Sequence, residues 1–237
     1  MLKITDMNYR YPGSHKKKFE IKDVSLTLEP GMISCLIGRN GAGKTTLLKL
    51  ICGMIKAHSG RIEWNGSEVK RKDLPDYRRN VAYVGGEDWC AGALTIRQNT
   101  ELFKQLYPEF DDTYYEQLMQ LADLEIAAEQ AYYQLSAGQQ MKAELIFALA
   151  RHPKMLLLDE PLANLDPVFK TDILELIQED VAKNGTGVLI SSHLVDEISD
   201  IVDVICVMEN GTIQKSGDRF ELLGADGEKS LREVIGA

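Results

Sequence analysis

No stretch of this chain approaches the roughly 18 consecutive apolar residues that a membrane-crossing helix needs. Its best candidates, Met155–Leu158 and Val204–Met208, have the length of strands. The opening residues, Met1-Leu2-Lys3-Ile4-Thr5-Asp6, lack the apolar core of a signal peptide. Cys35, Cys52, Cys90 and Cys206 are scattered and never form a Cys-x-x-Cys pair. Together these absences point to the cytoplasm and to reduced thiols. An excess of positive charge is also missing: 27 basic against 36 acidic side chains give a formal net charge of −9. A protein whose main task is gripping nucleic-acid phosphates is therefore not expected. Lys16-Lys17-Lys18 is the one tight basic run, and a solvated turn accounts for it. There is no internal repeat and no low-complexity segment. What is present, 237 residues with 44% hydrophobic and 27% charged side chains, is enough for one large globular domain or two intimate ones.

The N-terminal third reads as strand-rich. Met32–Ile37 is a short apolar run between glycines, and Arg61–Trp64 meets the hairpin dipeptide Asn65-Gly66. Between Thr95 and Arg151 the apolar spacing becomes helical. Tyr115, Leu118, Met119 and Ala122 share one stripe, and Met141, Leu145, Ala148 and Leu149 share another. Thr95-x-x-Gln98, Thr113-x-x-Glu116 and Ser136-x-x-Gln139 have the form of capping boxes for three helices, with Pro153 beyond the last. Two buried-strand runs follow, Met155–Leu158 and Gly187–Ser191, with a helix through Phe169–Val181 between them. This is the βαβ rhythm of a parallel sheet, interrupted by a helical insertion and then resumed. Val204–Met208 leads into a second hairpin signal, Asn210-Gly211, and a weakly patterned tail begins near Asp218.

Gly38-Arg39-Asn40-Gly41-Ala42-Gly43-Lys44-Thr45 fits G-x-x-x-x-G-K-[ST] at every fixed position, after an expected strand and before an apolar-periodic helix. In that context the glycines let the backbone curl its N–H groups toward a polyphosphate, and the helix N-terminus adds positive potential. Lys44 can reach the outer phosphates, and the Thr45 hydroxyl can ligate Mg²⁺. Asp159 and Glu160 stand at the exit of a buried strand, where parallel sheets place ligands. Beside a phosphate loop they suit a metal carboxylate acting through water (Asp159) and a general base (Glu160). Leu135-Ser136-Ala137-Gly138-Gln139 has two readings, a capping box that needs no ligand and a helix N-terminus that receives a phosphate; these are compatible.

Tyr11, Gly38–Thr46, Leu135–Gln139, Asp159-Glu160, Ala163-Asn164-Leu165-Asp166 and Ser192-His193, in this order, make the chain from about Leu2 to Lys215 resemble the ATP-binding subunits of ATP-binding-cassette (ABC) transporters. Leu106–Asp111 gives it a weaker similarity to bacterial single-domain cassettes associated with exporters. The resemblance implies an α/β P-loop NTPase of the ABC type: a mostly parallel sheet core, an N-terminal antiparallel β subdomain and an inserted helical subdomain. Residues 1–86 and 152–215 would form the core with its β subdomain, 87–151 the helical subdomain and 216–237 a tail. It implies ATP and Mg²⁺, with Tyr11 stacked on adenine and Gly38, Arg39, Asn40, Gly41, Ala42, Gly43, Lys44, Thr45 and Thr46 around the phosphates. Thr45 and Asp159 would serve the metal, and Glu160 and His193 catalysis.

By the same resemblance Ser136, Ala137, Gly138 and Gln139 form the signature that closes over ATP held by a second subunit, in a homodimer or a heterodimer, and Asp166 lies in the loop that communicates across it. A separate transmembrane permease is implied, which would hold this chain as a peripheral subunit on the cytoplasmic face of the cell membrane, with export as the expected direction. A soluble ABC ATPase without a membrane partner is the alternative. Two departures stand out. Ala137 replaces the first glycine of the family's L-S-G-G-Q, and Gly86 falls where the family carries a glutamine that reaches Mg²⁺ and the attacking water. Either Glu87 or Asp88 substitutes for that glutamine, or water does.

Overall fold

Alternating apolar residues on five strands of one sheet face two different layers of the protein, and this division sets its architecture. In the computed structural model, which describes residues 1–12, 20–85, 90–163, 165–193 and 198–223, a six-stranded sheet runs in the order β10-β9-β3-β8-β7-β6. Its strands are β3 (Ile33–Ile37), β6 (Val81–Val84), β7 (Met155–Asp159), β8 (Gly187–Ser192), β9 (Val204–Glu209) and β10 (Thr212–Asp218). All neighbours pair in parallel except β9 and β10, which form the antiparallel hairpin expected at Asn210-Gly211. Strand β10 continues to Asp218, three residues into the segment expected as tail, and the helix α7 (Arg219–Leu223) follows.

Along β7, Leu156 and Leu158 belong to one apolar cluster and Met155 and Leu157 to the other; β8 divides Val188 and Ile190 from Leu189 in the same way. Strands covered on both faces read as unbroken apolar runs because neither face meets water. On one side lie α1 (Lys44–Ile51) and a four-stranded antiparallel sheet, ordered β2-β1-β4-β5. It comprises β1 (Leu2–Arg10), β2 (Glu20–Leu28), β4 (Ser59–Trp64) and β5 (Ser67–Glu68). On the other side pack α3 (Ile96–Leu106), α4 (Asp112–Leu121), α5 (Ala137–Leu149) and α6 (Pro167–Asn184).

The helical block carries two of its three expected caps. Thr95 and Ser136 each form a complete capping box, at α3 and α5. Helix α4 is different: Asp111, not Thr113, is its N-cap, accepting from the Tyr114 N–H. Asp111 wins because its own N–H donates to the Ala150 carbonyl at 2.7 Å and its carboxylate meets the His152 ring at 3.0 Å. These tertiary bonds fix the chain's entry into α4 two residues earlier than the local pattern suggests.

Candidate functional site

The phosphate loop owes its path to glycines at positions where a side chain would be either crowded or strained. Gly38 closes β3 so near β9 that a Cβ there would lie 2.4 Å from the Met208 carbonyl oxygen, and Gly41 and Gly43 have φ of +84° and +112°. Gly43 caps α1, which has no side-chain cap and no acidic residue in its first turn. Its first N–H groups are therefore available to a ligand, on the positive end of the helix. Asn40, Gly41, Gly43, Lys44, Thr45, Thr46 and Glu160 line a cavity of about 270 Å³. Larger hollows lie between α3 and α4 and at the edge of β6. Polar groups from separate elements converge at the loop, and for a polyphosphate site that convergence is a better guide than volume.

Lys44, only 6% exposed, directs its ammonium to the Gly38 carbonyl at 2.7 Å and to Glu160 Oε1 at 3.0 Å. The other Glu160 oxygen, Oε2, meets His193 Nδ1 at 2.7 Å. Glu160 itself has a positive φ of 51°, an uncommon conformation for a residue with a side chain. Its N–H donates to the Ser191 hydroxyl at 3.0 Å and to the Ser191 carbonyl at 3.2 Å, which hold that conformation in place. Asp159, 8% exposed, ends β7 just before it. The residues expected from Gly38–Lys44, Glu160 and His193 are thus joined in one constellation. Beneath it on β3, burial first, and also the neighbouring Cys206, push the Cys35 thiol well above its ordinary range, so this cysteine is a packed thiol rather than a nucleophile.

Tyr11 is 41% exposed; its hydroxyl lies 3.3 Å from Thr46 Oγ1, and its ring meets Tyr9 edge to face at 5.0 Å. Arg39, Asn40 and Thr45 are exposed around the loop, whereas Ala42 is buried and its carbonyl accepts from the Gly211 N–H at 2.9 Å. The hairpin turn of β9 and β10 therefore buttresses the phosphate loop from behind, a contact without local signal in the sequence.

Ser136 and Gln139 bond one another in the capping box at 3.2 and 3.0 Å. Ala137 is the first residue of α5, a helical position that an alanine adopts without strain, so the departure from glycine leaves the turn intact. Gly138 is different: a Cβ there would lie 2.6 Å from the Phe169 ring of α6. Asp166 caps α6 through the Val168 and Phe169 N–H groups. The starts of α5 and α6 are consequently packed together, and the buried Lys142 of α5 pairs with Asp172 of α6. Among the described residues no group of three or more His, Cys, Asp or Glu is arranged to hold a metal by itself. Such a donor set, a lone buried carboxylate and a hydroxyl, fits a hard cation that arrives with phosphate oxygens and keeps some of its waters. Gly86, Glu87, Asp88, Asn164, the Lys16–Lys18 run and the tail beyond Leu223 lie outside the described residues.

Two further contacts escaped sequence reasoning. Ser191 Oγ lies 2.7 Å from Asp159 Oδ1, and the Tyr83 hydroxyl lies 3.2 Å from Asp159 Oδ2.

A phosphate loop on β3 and adjacent acids at the end of β7, with a basic ammonium between them, define a P-loop nucleotide hydrolase. The family profile described as ABC transporter matches residues 21–163, more than half of the chain. The chain belongs to this family and is one of its ATP-binding, ATP-hydrolysing cassettes. It is 37% identical over 202 residues to the ABC transporter ATP-binding protein YtrB of Bacillus subtilis, covering 85% of this chain and 68% of that protein. It is 31% identical to the lipopolysaccharide export system ATP-binding protein LptB of Haemophilus influenzae, covering 92% of each. It is 30% identical to the molybdenum import ATP-binding protein ModC of Paramagnetospirillum magneticum, where the match spans 88% of this chain but only 59% of ModC. Among solved structures, an ATP-binding subunit of an ABC transporter superposes with a TM-score of 0.85 at 27% identity, over 100% of this chain and 98% of the other. The dimeric cassette MJ0796, bound to ADP and Pi, shares the fold with a TM-score of 0.82 at 22% identity, over 92% and 99%. No helix among the described residues is long and apolar enough to cross a membrane.

Proposed function

We propose that this cassette closes as one half of a dimer around two Mg·ATP and that its hydrolysis cycle drives a separate membrane permease. The observation that carries the reading is the bridge from Lys44 through Glu160 to His193, which gathers a phosphate-binding cation, a base and a hydrogen-bonding imidazole at one loop. Tyr11 stacks on the adenine. The N–H groups of Gly38–Thr46 wrap the phosphates, and Lys44 neutralises their outer charge. Thr45 and Asp159 would hold Mg²⁺, which would supply charge neutralisation on the phosphates. Glu160 accepts the proton of the water that attacks the γ-phosphorus as the bond to ADP breaks, and His193 orients Glu160 and contacts the γ-phosphate. Little covalent chemistry is asked of the protein; positioning and charge account for the acceleration. Ser136–Gln139 reach the ATP of the second subunit, and Asp166 passes the state of one site to the other.

The partner is read as an export permease at the cytoplasmic face of the membrane. Support comes from the Leu106–Asp111 segment and from the export system to which LptB belongs; ModC belongs to an import system, so direction is the finer part of the proposal. The alternative, a soluble ABC switch, predicts no membrane subunit. Detergent co-purification with tagged protein separates the two: retention of a multi-spanning permease supports the transporter, and its absence with full ATPase activity supports the switch. For the dimer, Glu160→Gln should be dimeric by light scattering at saturating Mg·ATP, while Lys44→Ala should stay monomeric and inactive. A monomeric Glu160→Gln protein with bound ATP would refute the sandwich.

A further inference from the structure

Strands β7 and β8 pair in parallel with Asp159 directly beside Ser191, so their side chains leave the sheet on the same face. The Ser191 side chain is fully buried, and its hydroxyl has a defined polarity. The Glu160 N–H can only donate, so at 3.0 Å it takes a lone pair of Ser191 Oγ, leaving the hydroxyl proton for Asp159 Oδ1 at 2.7 Å. From β6, on the opposite side of β7, the Tyr83 hydroxyl donates to the remaining oxygen, Oδ2, at 3.2 Å. Gly85, with φ of +124°, brings the chain after β6 against the same residue: a Cβ on it would lie 2.5 Å from the Asp159 carbonyl oxygen.

We infer that Ser191 and Tyr83 are positioning residues that clamp both oxygens of Asp159, and that Ser191 with the same hydroxyl sets the backbone from which Glu160 projects. The inference rests on the site reading above, in which Asp159 serves the metal. A carboxylate carries about four lone-pair sites, and the two donors occupy one on each oxygen. The remaining sites stay open to metal-bound water, but rotation about the carboxylate axis is blocked. A free carboxylate would have to be ordered each time the metal–nucleotide complex entered; a clamped one is already oriented. The Ser191 contact also couples metal site and base. Removing its oxygen frees Oδ1 of Asp159 and, at the same time, takes one of the two acceptors that hold Glu160 at positive φ.

The test uses the whole chain with Ser191→Ala, Ser191→Thr and Tyr83→Phe, none of which adds or removes charge. Binding of a fluorescent ADP in EDTA reports the phosphate loop alone, and Mn²⁺ uptake by the ADP complex, followed by electron paramagnetic resonance, reports the metal site without turnover. With ADP held saturating for each variant, Ser191→Ala is expected to raise the Mn²⁺ half-saturation concentration by about tenfold, the factor for losing a hydrogen bond to a charged group. Tyr83→Phe should shift it in the same direction by less, since its bond is longer, and Ser191→Thr should restore the wild-type value. An unchanged Mn²⁺ titration in both hydroxyl-free variants overturns the inference, whatever happens to their activity. If Ser191→Ala does not fold, Tyr83→Phe, which keeps the ring and its packing, decides alone. Failure of the wild-type ADP complex to take up Mn²⁺ refutes the metal reading itself, a result distinct from a clamp that proves dispensable.

Discussion

Glu160 occupies the position from which it can compete with phosphate for Lys44, and this contact yields a prediction about binding that is independent of turnover. The carboxylate sits 3.0 Å from the ammonium, with Lys44 6% and Glu160 24% exposed. At that separation and an effective dielectric of about 20, the gross Coulomb attraction is about 5 kcal/mol. Desolvation of both ions offsets most of it, leaving a net of about 1–2 kcal/mol. An arriving diphosphate must draw the ammonium from Glu160 and then tolerate the carboxylate as a like-charged neighbour. Glu160→Gln keeps the shape and an acceptor oxygen but removes the charge, so ADP should bind the variant about tenfold more tightly, the factor equivalent to about 1.4 kcal/mol. Isothermal titration calorimetry with ADP in EDTA measures this without hydrolysis, metal or an ATP-driven dimer contributing. Adding Lys44→Ala should shrink the gain to the part that comes from like-charge repulsion, because the cation being contested is gone; that completes a double-mutant cycle. Unchanged or weaker ADP binding by Glu160→Gln would show that the carboxylate and the phosphate do not compete.

Phe147, 1% exposed and stacked on Phe103 at 4.7 Å and Tyr115 at 6.1 Å, centres the helical layer; Phe147→Ala should cost about 3–5 kcal/mol in urea denaturation, and a loss below about 1 kcal/mol would show that the layer closes over the cavity. The His152 ring, hydrogen-bonded to Asp111, holds that carboxyl below its ordinary range, and the Tyr114 N–H adds to the effect. A lowered carboxyl contributes stability that is complete above its unfolded value, about 3.9, and is lost as pH falls through the folded value. The stability gap between wild type and His152→Ala should therefore narrow as pH drops from about 5 to about 3; a constant gap in pH-dependent thermal melts would contradict the assignment.

What the sequence made legible was contiguous. The phosphate loop between β3 and α1, the acids at the end of β7 and the Asn210-Gly211 turn each announce themselves within a dozen residues, because their chemistry depends on local backbone geometry. Strands β1 and β2 were harder to read. Leu2 and Ile4 alternate inward, but irregular pairing around positive-φ Asp6 displaces the next buried pair to Met7 and Tyr9, and Asp23 marks a similar break before Val24. A single extra residue inverts the period-two pattern, so simple alternation fails there although both strands are well paired. The Asp111 cap was hidden for another reason, since Ala150 and His152, which select it over Thr113, lie some forty positions away. The roles assigned to Tyr11, Ser136 and Asp166 came from family resemblance, as their spacing alone was equally consistent with packing and capping.

The sheet order explains why the remaining contacts could not be read from motifs. Strand β8 lies between β3, which leads into the phosphate loop, and β7, which delivers the acids. Its last residues consequently serve both neighbours. Ser191 bonds Asp159 and the Glu160 N–H, the Ser192 carbonyl accepts from the Gly38 N–H at 3.4 Å, and the adjoining His193 reaches Glu160. Three consecutive residues thus connect the two halves of the site, although those halves are more than a hundred residues apart in the chain. Because side chains alternate along a strand, a one-residue slip of β8 would turn Ser191 to the opposite face and present Ser192 in its place. The slip would also move the Ser192 carbonyl away from Gly38, so the error could not be absorbed by exchanging one serine for the other. The pairing of Asp159 with Ser191 is therefore a requirement of the site as well as of the sheet.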